Sequence, residues 1–253
     1  MKLFDLTGKR ALVTGASRGI GRAIALAYAE AGAELALLSR DEQTLTEVAT
    51  QAGTHGHRAV VIPCDVTDQD AVTSAVERAI SELGAIDVVV NNAGGTAFMV
   101  PFEQMRLEGW DKVMRLNASF IVHVCKVIGP HLLERRSGSV INVASIAALG
   151  GTPTLAPYGA SKAAALSLTR TLAMEWGHAG IRVNALCPGW TQTDLNANLW
   201  GDPQVAESMV ASVPLGRWGN AEEMAGPAVF LASDASSYMT GQALVVDGGM
   251  TAH

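Results

Sequence analysis

Residues 10–21 read RALVTGASRGIG, and this stretch decides the fold. A short apolar run at 10–14 leads into glycines 15, 19 and 21, and a segment with helical periodicity follows. Glycines at a strand-to-helix turn let the backbone bend sharply and approach a pyrophosphate, and the helix then offers free N–H groups and its positive dipole end. The spacing is neither G-x-G-x-x-G nor a P-loop, since no Gly-Lys-Ser/Thr closes it. The stretch indicates a phosphate-binding turn and, taken alone, no particular reaction.

The rest of the chain repeats the strand-then-helix pattern. Strands are predicted at 10–14, 34–39, 59–64, 86–91, 139–144, 181–186 and 243–246, and helices at 19–31, 44–52, 70–83, 110–133, 157–176 and 221–232. The strands are continuously apolar, which is typical of parallel strands that are covered on both faces. We therefore expect an α/β fold of the Rossmann type: a doubly wound parallel seven-stranded sheet with helices on both faces. Without a composition break, residues 1–253 are predicted to form a single domain.

One region, residues 188–218, departs from this rhythm. It is rich in glycine, proline and asparagine and carries isolated large apolar residues, namely Trp190, Leu195, Leu199, Trp200 and Met209. A long segment without a strand is unusual inside a compact domain and is usually functional. We expect one or two short helices that form a substrate lid, and a purely structural cap is the alternative.

Composition excludes several classes of protein. With 17% charged and 49% apolar residues, the chain is not intrinsically disordered. A net charge of −6 without a basic cluster argues against nucleic-acid or anionic-membrane partners. We find no signal peptide and no run of about 18 uncharged apolar residues that would span a bilayer. Cys64, Cys125 and Cys187 are too scattered for disulfides or metal ligation, and His55 and His57 lack neighbouring ligands, so we expect no metal and a cytoplasmic location.

Ser39 and Arg40 end the second predicted strand, where dinucleotide-binding sheets select between the two nicotinamide cofactors. An acidic residue there binds the ribose 2′-OH, whereas arginine accommodates a 2′-phosphate. Arg40, with Arg18 approaching from the glycine turn, favours a dianionic phosphate. Asp41 and Glu42 count against this, but acids in the first turn of the next helix suit its dipole. We expect NADP(H) to be preferred, with NAD(H) as the alternative.

Two further polar groups follow predicted strands. Asp65 follows the third strand, and residues 91–94, Asn-Asn-Ala-Gly, close the fourth. Open α/β sheets bind ligands at the carboxyl ends of their strands, which makes both groups candidates for a binding site. An Asx turn and a helix cap are the alternatives for each of them alone.

Ser145, Tyr158 and Lys162 carry the chemistry. Tyr158 and Lys162 are four residues apart on a predicted helix and therefore share one face. A phenol with a pKa of about 10 is a poor base near neutrality. A neighbouring ammonium and the positive nicotinamide would lower that pKa and make Tyr158 a usable acid or base. The hydroxyl of Ser145, which follows the fifth predicted strand, can polarise a carbonyl that is being reduced.

In this order and spacing, the motifs make the chain similar to the short-chain dehydrogenase/reductase family, over residues 5–250. The ending, with Gly241-Gln242 and the Val-Asp-Gly-Gly of 246–249, matches as well. The positions that carry the resemblance are Thr14, Gly15, Gly19, Gly21, Asp65, Asn91, Ala93, Gly94, Asn117, Ser145, Tyr158, Lys162, Pro188, Gly189 and Thr193.

The resemblance implies a role for each catalytic residue. Tyr158 would be the acid/base, and Ser145 would hold the substrate oxygen. Lys162 would bind the nicotinamide ribose and depress the pKa of Tyr158, and Asn117 would anchor a water in a proton relay. Without the resemblance, Asn117 is an ordinary polar position on a helix.

The resemblance also implies a cofactor site. Asn91 would touch the adenosine-side ribose and Asp65 the adenine, while Pro188, Gly189 and Thr193 would meet the nicotinamide. The expected cofactor-binding residues are Gly15, Ser17, Arg18, Gly19, Ile20, Gly21, Ser39, Arg40, Asp65, Val66, Asn91, Ala93, Gly94, Tyr158, Lys162, Pro188, Gly189, Thr191 and Thr193.

Three functions fit these residues. The first is an NADPH-dependent carbonyl reductase of the 3-oxoacyl-carrier-protein reductase type. The second is a polyol, sugar-acid or secondary-alcohol dehydrogenase of the same fold, and the third is a non-catalytic dinucleotide-binding protein. The intact Ser145, Tyr158 and Lys162 set argues against the third. The tryptophans of 188–218 favour an apolar or ring-containing substrate, unless they are packing residues.

The expected partners follow from the same resemblance. Members of the family are commonly tetramers, with the helices around 110–133 and 157–176 in one interface. Carrier-protein reductases often have a basic residue where this chain has Ala179, so docking of an acyl carrier protein is doubtful although Arg136 is suitably placed.

Overall fold

Seven parallel strands form the central sheet. The computed structural model describes residues 2–96 and 98–252. Within those ranges the strand order is β3-β2-β1-β4-β5-β6-β9, which confirms the predicted doubly wound sheet. The strands are β1 Arg10–Thr14, β2 Glu34–Ser39, β3 Ala59–Pro63, β4 Val88–Asn91, β5 Gly138–Val143, β6 Ile181–Pro188, β7 Thr191–Gln192, β8 Gly219–Asn220 and β9 Ala243–Val246. Each predicted strand is present, with ends displaced by at most two residues.

The helices also lie where the periodicity predicts them. They are α1 Gly19–Glu30, α2 Glu42–Gly53, α3 Gln69–Leu83, α4 Leu107–Met114, α5 Phe120–Arg135, α6 Ala156–Trp176, α7 Ala197–Trp200, α8 Pro203–Val210 and α9 Ala225–Ala232. Local chemistry fixes the ends of α3, because Asp68 caps its first N–H groups and Gly84 ends it in the left-handed conformation.

The sheet separates two hydrophobic layers. Alternate residues of each strand point to opposite faces, so Leu12 packs towards α3, α5 and α6, whereas Val13 packs towards α1, α2 and α9. Both faces are buried, which explains why the strands are continuously apolar. Cys64, Cys125 and Cys187 are free and buried, as expected for small core residues.

The predicted helix 110–133 is a composite. A π-helical turn, Arg115–Ser119, joins α4 to α5, and such single turns are frequent at functional sites. By length and hydropathy alone, the segment Leu107–Arg135 could cross a membrane. However, 44% of its most apolar window is buried within the protein, where α5 packs against α3, as in a core helix.

Charged groups pair at the edge where the strands begin. The carboxylate of Asp87, just before β4, accepts hydrogen bonds from Arg10 at 2.8 Å and Arg135 at 2.5 Å. Beside them, Ile86 N–H donates to Nε2 of His131 at 3.1 Å. These contacts fasten α5 to the start of β1 and β4.

Residues 188–218 contain α7 and α8, as the composition predicts, and one strand that it does not predict. Thr191–Gln192 pairs with Gly219–Asn220 in a two-residue parallel ladder. A ladder this short has no apolar period of its own, so periodicity could not reveal it. It anchors both ends of the segment to each other.

Candidate active site

The glycine turn leads from β1 into α1, as predicted. Arg18 precedes α1, and its side chain caps none of the described N–H groups at that end. Gly15 and Gly21 are in such close contact that a Cβ at Gly21 would collide with the Gly15 carbonyl oxygen. The turn therefore exposes the positive end of a twelve-residue helix and its free N–H groups, a geometry that fits a pyrophosphate.

Thr14 and Asn92 fasten this turn to the loop that follows β4. The Thr14 hydroxyl accepts the N–H groups of Asn92 and Ala93 at 3.0 and 3.1 Å. The Asn92 amide donates to the carbonyls of Thr14 and Gly15 at 3.0 and 3.1 Å. Asn92 belongs to the candidate segment 91–94, but it is not among the expected cofactor-binding residues. Its uncharged amide holds the two loops in position.

Ser39, Arg40 and Asp65 lie together at the ends of β2 and β3. Asp65 accepts the N–H and hydroxyl of Thr67 at 2.9 and 2.8 Å, and these hydrogen bonds, helped by the charge of Arg40, lower the pKa of Asp65. The Asx turn that was the alternative interpretation of Asp65 is therefore present. With this turn, Asp65 still lies at the sheet edge where the adenine is expected to bind.

The Asp41 carboxylate makes hydrogen bonds within the protein. Its carboxylate caps α2 by accepting the N–H and hydroxyl of Thr44 at 3.1 and 2.7 Å. Glu42 begins the helix, as the dipole argument predicts. Asp41 thus has a structural function, and its presence does not weaken the arginine argument at Arg40.

Tyr158 lies beside Ser145 and is partly buried. Ser145 caps the short turn after β5, since its Oγ accepts Ala147 N–H at 3.1 Å. Burial raises the pKa of Tyr158, and the Ser145 hydroxyl acts in the opposite direction. Desolvation of the phenolate is the larger of these two effects, and the expected lowering of this pKa by Lys162 and a bound nicotinamide together stays a prediction.

Lys162 lies below Tyr158 on α6, as the four-residue spacing predicts. Its Nζ is 5.7 Å from the Tyr158 ring centre and donates to the Val143 carbonyl at 2.8 Å. Lys162 is only 3% exposed, and burial lowers its pKa to about 8. The ammonium is therefore held by the main chain of β5 and, with a pKa of about 8, stays mostly protonated at neutral pH.

Asn117 lies in the π-helical turn and clamps the loop after β4. It accepts Gly95 N–H at 2.8 Å and donates to the Gly95 carbonyl at 2.9 Å. The neighbouring Gly94 is where Asn117 and Lys162 approach each other, because a Cβ there would lie 2.6 Å from Asn117 Oδ1 and 3.2 Å from Lys162 Nζ. Three elements thus converge on Gly94 and Gly95.

Cys187 belongs to this neighbourhood, which the sequence did not suggest. It packs on Ala144 and Leu166, and burial raises the pKa of its thiol to about 11. The Ser145 backbone and the charge of Lys162 act on it in the opposite direction. A neutral thiol therefore lies beneath the catalytic group, and its position directly before Pro188-Gly189 was the available signal.

Asn91 closes β4 with its side chain in the core. It is 0% exposed, and its amide donates to Asn142 Oδ1 at 2.9 Å, while Asn142 donates to Thr169 at 2.8 Å. Because the side chain points into the core, the expected contact of Asn91 with the adenosine-side ribose would come from its main chain. Asn91 joins β4 to β5 and α6.

The start of residues 188–218 lies against both loops. Thr193 contacts Gly19, since a Cβ at Gly19 would be 3.2 Å from Thr193 Cγ2. Leu195 covers Gly95 in the same way, with Cδ2 2.5 Å from a Cβ there. Thr191, Pro188 and Gly189 precede these contacts, at the end of β6 and in β7. The expected nicotinamide residues thus share one edge with the glycine turn.

The tryptophans of this segment are packing residues. Trp190 stacks on Trp218 with ring centres 5.4 Å apart, and Trp200 Nε1 donates to the Thr193 carbonyl at 3.0 Å. The argument that they favour a ring-containing substrate therefore has no support.

The remaining predicted cofactor residues lie at the same edge: Ser17 and Val66 are buried there, and Ile20 and Ala93 are half-buried.

Comparison with known proteins identifies relatives over the whole chain. A family model described as enoyl-(acyl carrier protein) reductase matches residues 15–251. Gluconate 5-dehydrogenase of Gluconobacter oxydans is 39% identical over 98% of this chain and 97% of its own length. The 3-oxoacyl-[acyl-carrier-protein] reductase of Thermotoga maritima is 38% identical over 97% of this chain and 98% of its own.

Solved structures agree with these relatives. A short-chain type dehydrogenase/reductase from Mycobacterium marinum superposes with a TM-score of 0.93 at 38% identity, covering 100% of this chain and 99% of that one. A gluconate 5-dehydrogenase from Burkholderia cenocepacia, in complex with NADP and tartrate, gives 0.94 at 36% identity, covering 100% and 98%.

Proposed function

Because this chain belongs to the short-chain dehydrogenase/reductase family, an NAD(P)-dependent class of oxidoreductases, we propose that it reduces a ketone with NADPH. The observation that carries the proposal is the partly buried Tyr158, with the Ser145 hydroxyl beside it and the Lys162 ammonium 5.7 Å from its ring. A binding protein would need none of these three groups.

The residues that follow β1 and β2 suit NADP(H). The glycine turn and the open end of α1 would hold the pyrophosphate. Arg18, Ser39 and Arg40 would surround a 2′-phosphate, and Asp41 does not compete because it caps α2. Asp65, Val66, Ala93 and Gly94 would line the adenosine side, and Pro188, Gly189, Thr191 and Thr193 the nicotinamide side. The NADP held by the Burkholderia relative supports this assignment.

The protein's own groups account for the proton. The cofactor supplies the hydride when bound. Ser145 Oγ would donate to the substrate oxygen, and Tyr158 Oη would give that oxygen its proton. Lys162 Nζ lies behind the phenol and can restore the proton, with Asn117 holding the loop that borders the path. The relay role of Asn117 remains part of this proposal.

The direction of the pKa shift supports reduction. A phenol whose pKa is raised by burial stays protonated at neutral pH, which is the form that donates a proton to a developing alkoxide. Oxidation of an alcohol needs the phenolate, which burial disfavours. The protonated phenol is therefore the form of Tyr158 that the proposed reduction uses.

We also propose that residues 188–218 act as a lid. Leu195 rests on Gly95 and Thr193 on the glycine turn, so the segment bridges both sides of the cleft. Because its own ends are tied by the β7–β8 ladder, it could move as one unit.

A homotetramer is the assembly that we propose for this chain. Supporting residues on the expected interface are Val122 on α5 and Met174 on α6, both exposed apolar side chains. The expected mass is four times 26.4 kDa by light scattering, and a monomeric mass would contradict it. Carrier-protein docking has less support, because Arg136 Nη2 already donates to the His178 carbonyl at 3.0 Å.

A panel of ketones and secondary alcohols, assayed with NADPH and NADH by the absorbance of the reduced nicotinamide, tests the proposed reaction. We expect ketone-dependent oxidation of NADPH that is faster than that of NADH at equal concentration. Binding of NADPH without turnover of any ketone or alcohol would contradict it and favour a dinucleotide-binding protein.

Sugar-acid dehydrogenation is the second candidate, which the two gluconate 5-dehydrogenase relatives favour. Charge at the substrate side of the site separates the two candidates.

A further inference from the structure

Three segments enclose the substrate side of the site, and their sequences share one property. They leave the sheet at the carboxyl ends of β4, β5 and β6, which are neighbours in the sheet. None of them contains a charged residue or a histidine over residues 88–102, 137–161 and 183–193. Since 17% of the chain is charged, this edge is distinctly poor in charge.

Contacts bring the three segments together. Val100 N–H donates to the Thr154 carbonyl at 2.9 Å, which joins the first segment to the second. Leu195, just beyond the third segment, rests on Gly95 in the first. Ser145 and Tyr158 belong to the second segment. The three segments therefore surround the hydroxyl groups that meet a substrate.

Apolar side chains stand on each of the three sides. Met99 and Leu149 are each 43% exposed, and Leu195 is 53% exposed. Exposed apolar residues grouped at one edge of the sheet are typical of a surface that binds an apolar ligand. The nearest acidic residue in sequence, Asp194, is exposed beside Leu195 and would repel an anion.

A carboxylate entering this site would find no free cation within the three segments. Lys162 directly follows the second segment, but its Nζ is bound to the Val143 carbonyl and lies 5.7 Å from the Tyr158 ring centre. An ionised group that loses water without gaining a charged partner is strongly disfavoured. A substrate acid or phosphate close to the reacting carbon would be in that position.

We propose that the substrate of this enzyme is an uncharged ketone with apolar groups beside the carbonyl, and that sugar acids and other carboxylates are excluded. This inference rests on the proposed function. It also separates the chain from its gluconate 5-dehydrogenase relatives in substrate class, although the fold and the reaction are shared.

Two pairs of ketones with matched skeletons test the substrate class. The first is 4-methylcyclohexanone against 4-oxocyclohexanecarboxylate, and the second is 2-heptanone against 6-oxoheptanoate. We expect kcat/KM with NADPH to be at least about tenfold higher for the uncharged member of each pair. Gluconate with NADP⁺ should give no reaction.

The outcomes distinguish the two levels of the proposal. Faster turnover of the carboxylated members, or oxidation of gluconate, would overturn the substrate class and leave the proposed reaction standing. Turnover of none of the compounds, with NADPH bound, would overturn both.

Leu149→Arg tests the placement of the substrate. Leu149 is half-exposed, so an arginine can be accommodated, and Leu149→Gln is the control of similar length without charge. We expect the arginine, and not the glutamine, to raise the carboxylate-to-uncharged ratio of kcat/KM by about tenfold. An unchanged ratio in a folded Leu149→Arg variant would show that substrate does not pass this residue and would overturn the assignment of the site.

Discussion

The two edges of the sheet use different kinds of polar group. Where the strands begin, charged side chains pair, as Asp87 does with Arg10 and Arg135. Where the strands end, uncharged amides make the contacts, as Asn92 does with the glycine turn and Asn117 with the loop after β4. At this second edge Lys162 is buried and Tyr158 partly buried, and neither is paired with a charged side chain.

The edge where the strands begin therefore affects stability, and the edge where they end affects the reaction. Charges that are paired and partly exposed contribute modestly to stability and tolerate change. At the other edge, burial raises the pKa of Tyr158 and lowers that of Lys162 to about 8, and such perturbed groups mark functional sites. Substitutions where the strands end should therefore change rate or affinity, and those where the strands begin should change only stability.

Tyr158→Phe should have the largest effect. Removing the phenol oxygen eliminates the proton donor, so kcat should fall by about 10³-fold or more while the Kd for NADPH changes by less than about threefold. Stopped activity assays measure kcat, and fluorescence titration measures the Kd for NADPH. Tyr238→Phe, at a fully exposed tyrosine, is the control and should match the wild type. Turnover of Tyr158→Phe near the wild-type rate would contradict the mechanism.

Gly94→Ala and Gly95→Ala should separate effects on the chemical step from effects on closure of the proposed lid, residues 188–218. Both glycines have positive φ, +155° and +146°, so the backbone strain is similar. A Cβ at 94 would press on Asn117 and Lys162, and we expect kcat to fall about 10²-fold. A Cβ at 95 would meet the end of Leu195, so KM should change more than kcat, and adding Leu195→Ala should restore it.

Steady-state kinetics of the two single variants and the Gly95→Ala/Leu195→Ala double variant measure these effects. Equal losses of kcat in both alanine variants would show that strain, and not the contact with Asn117 and Lys162, is the cause.

Arg40→Asp should raise the KM for NADPH about tenfold or more, because a guanidinium that faces a phosphate is replaced by a repelling carboxylate. The KM for NADH should stay within about threefold and serves as the internal control. Equal changes for both cofactors in initial-rate assays would remove Arg40 from the 2′-phosphate site.

Asp87→Asn should lower the free energy of unfolding by about 1–3 kcal/mol and leave kcat unchanged. It leaves Arg10 and Arg135 without their carboxylate, which is 11% exposed, at the edge far from the site. Urea unfolding and the ketone assay check this. A tenfold loss of kcat in the folded variant would break the distinction between the edges.

His131 should give the smallest effect. Burial, the largest cause, and the charge of Arg135 lower its pKa below the ordinary value of about 6.5, and neutral Nε2 accepts Ile86 N–H. The unfolded chain then binds the proton more readily, so stability is lost as pH falls below about 6.5. Thermal melts should show a decrease of about 2 °C or less. His131→Gln should flatten this dependence, and an unchanged slope would assign it to other groups.

Sequence predicted most where the backbone determines the structure. Continuous apolar runs gave the strands, and glycine spacing with the four-residue step from Tyr158 to Lys162 placed the site. What it could not predict depends on contacts between distant elements: the inward direction of Asn91, the contact of Leu195 with Gly95, and the short ladder at Thr191–Gln192. The effect of burial on the pKa of Tyr158 could not be predicted for the same reason, because burial arises only when helix and loops assemble.

Transfer of deuterium from the reactive nicotinamide carbon of NADPH to a ketone tests the central claim most directly. With the wild-type enzyme and labelled NADPH, mass spectrometry of the alcohol should find one deuterium on the carbinol carbon. Tyr158→Phe, run beside it at equal cofactor occupancy, should give almost no labelled alcohol. Alcohol formed without the label, or equal labelled product from both proteins, would contradict hydride transfer with Tyr158 as the proton donor.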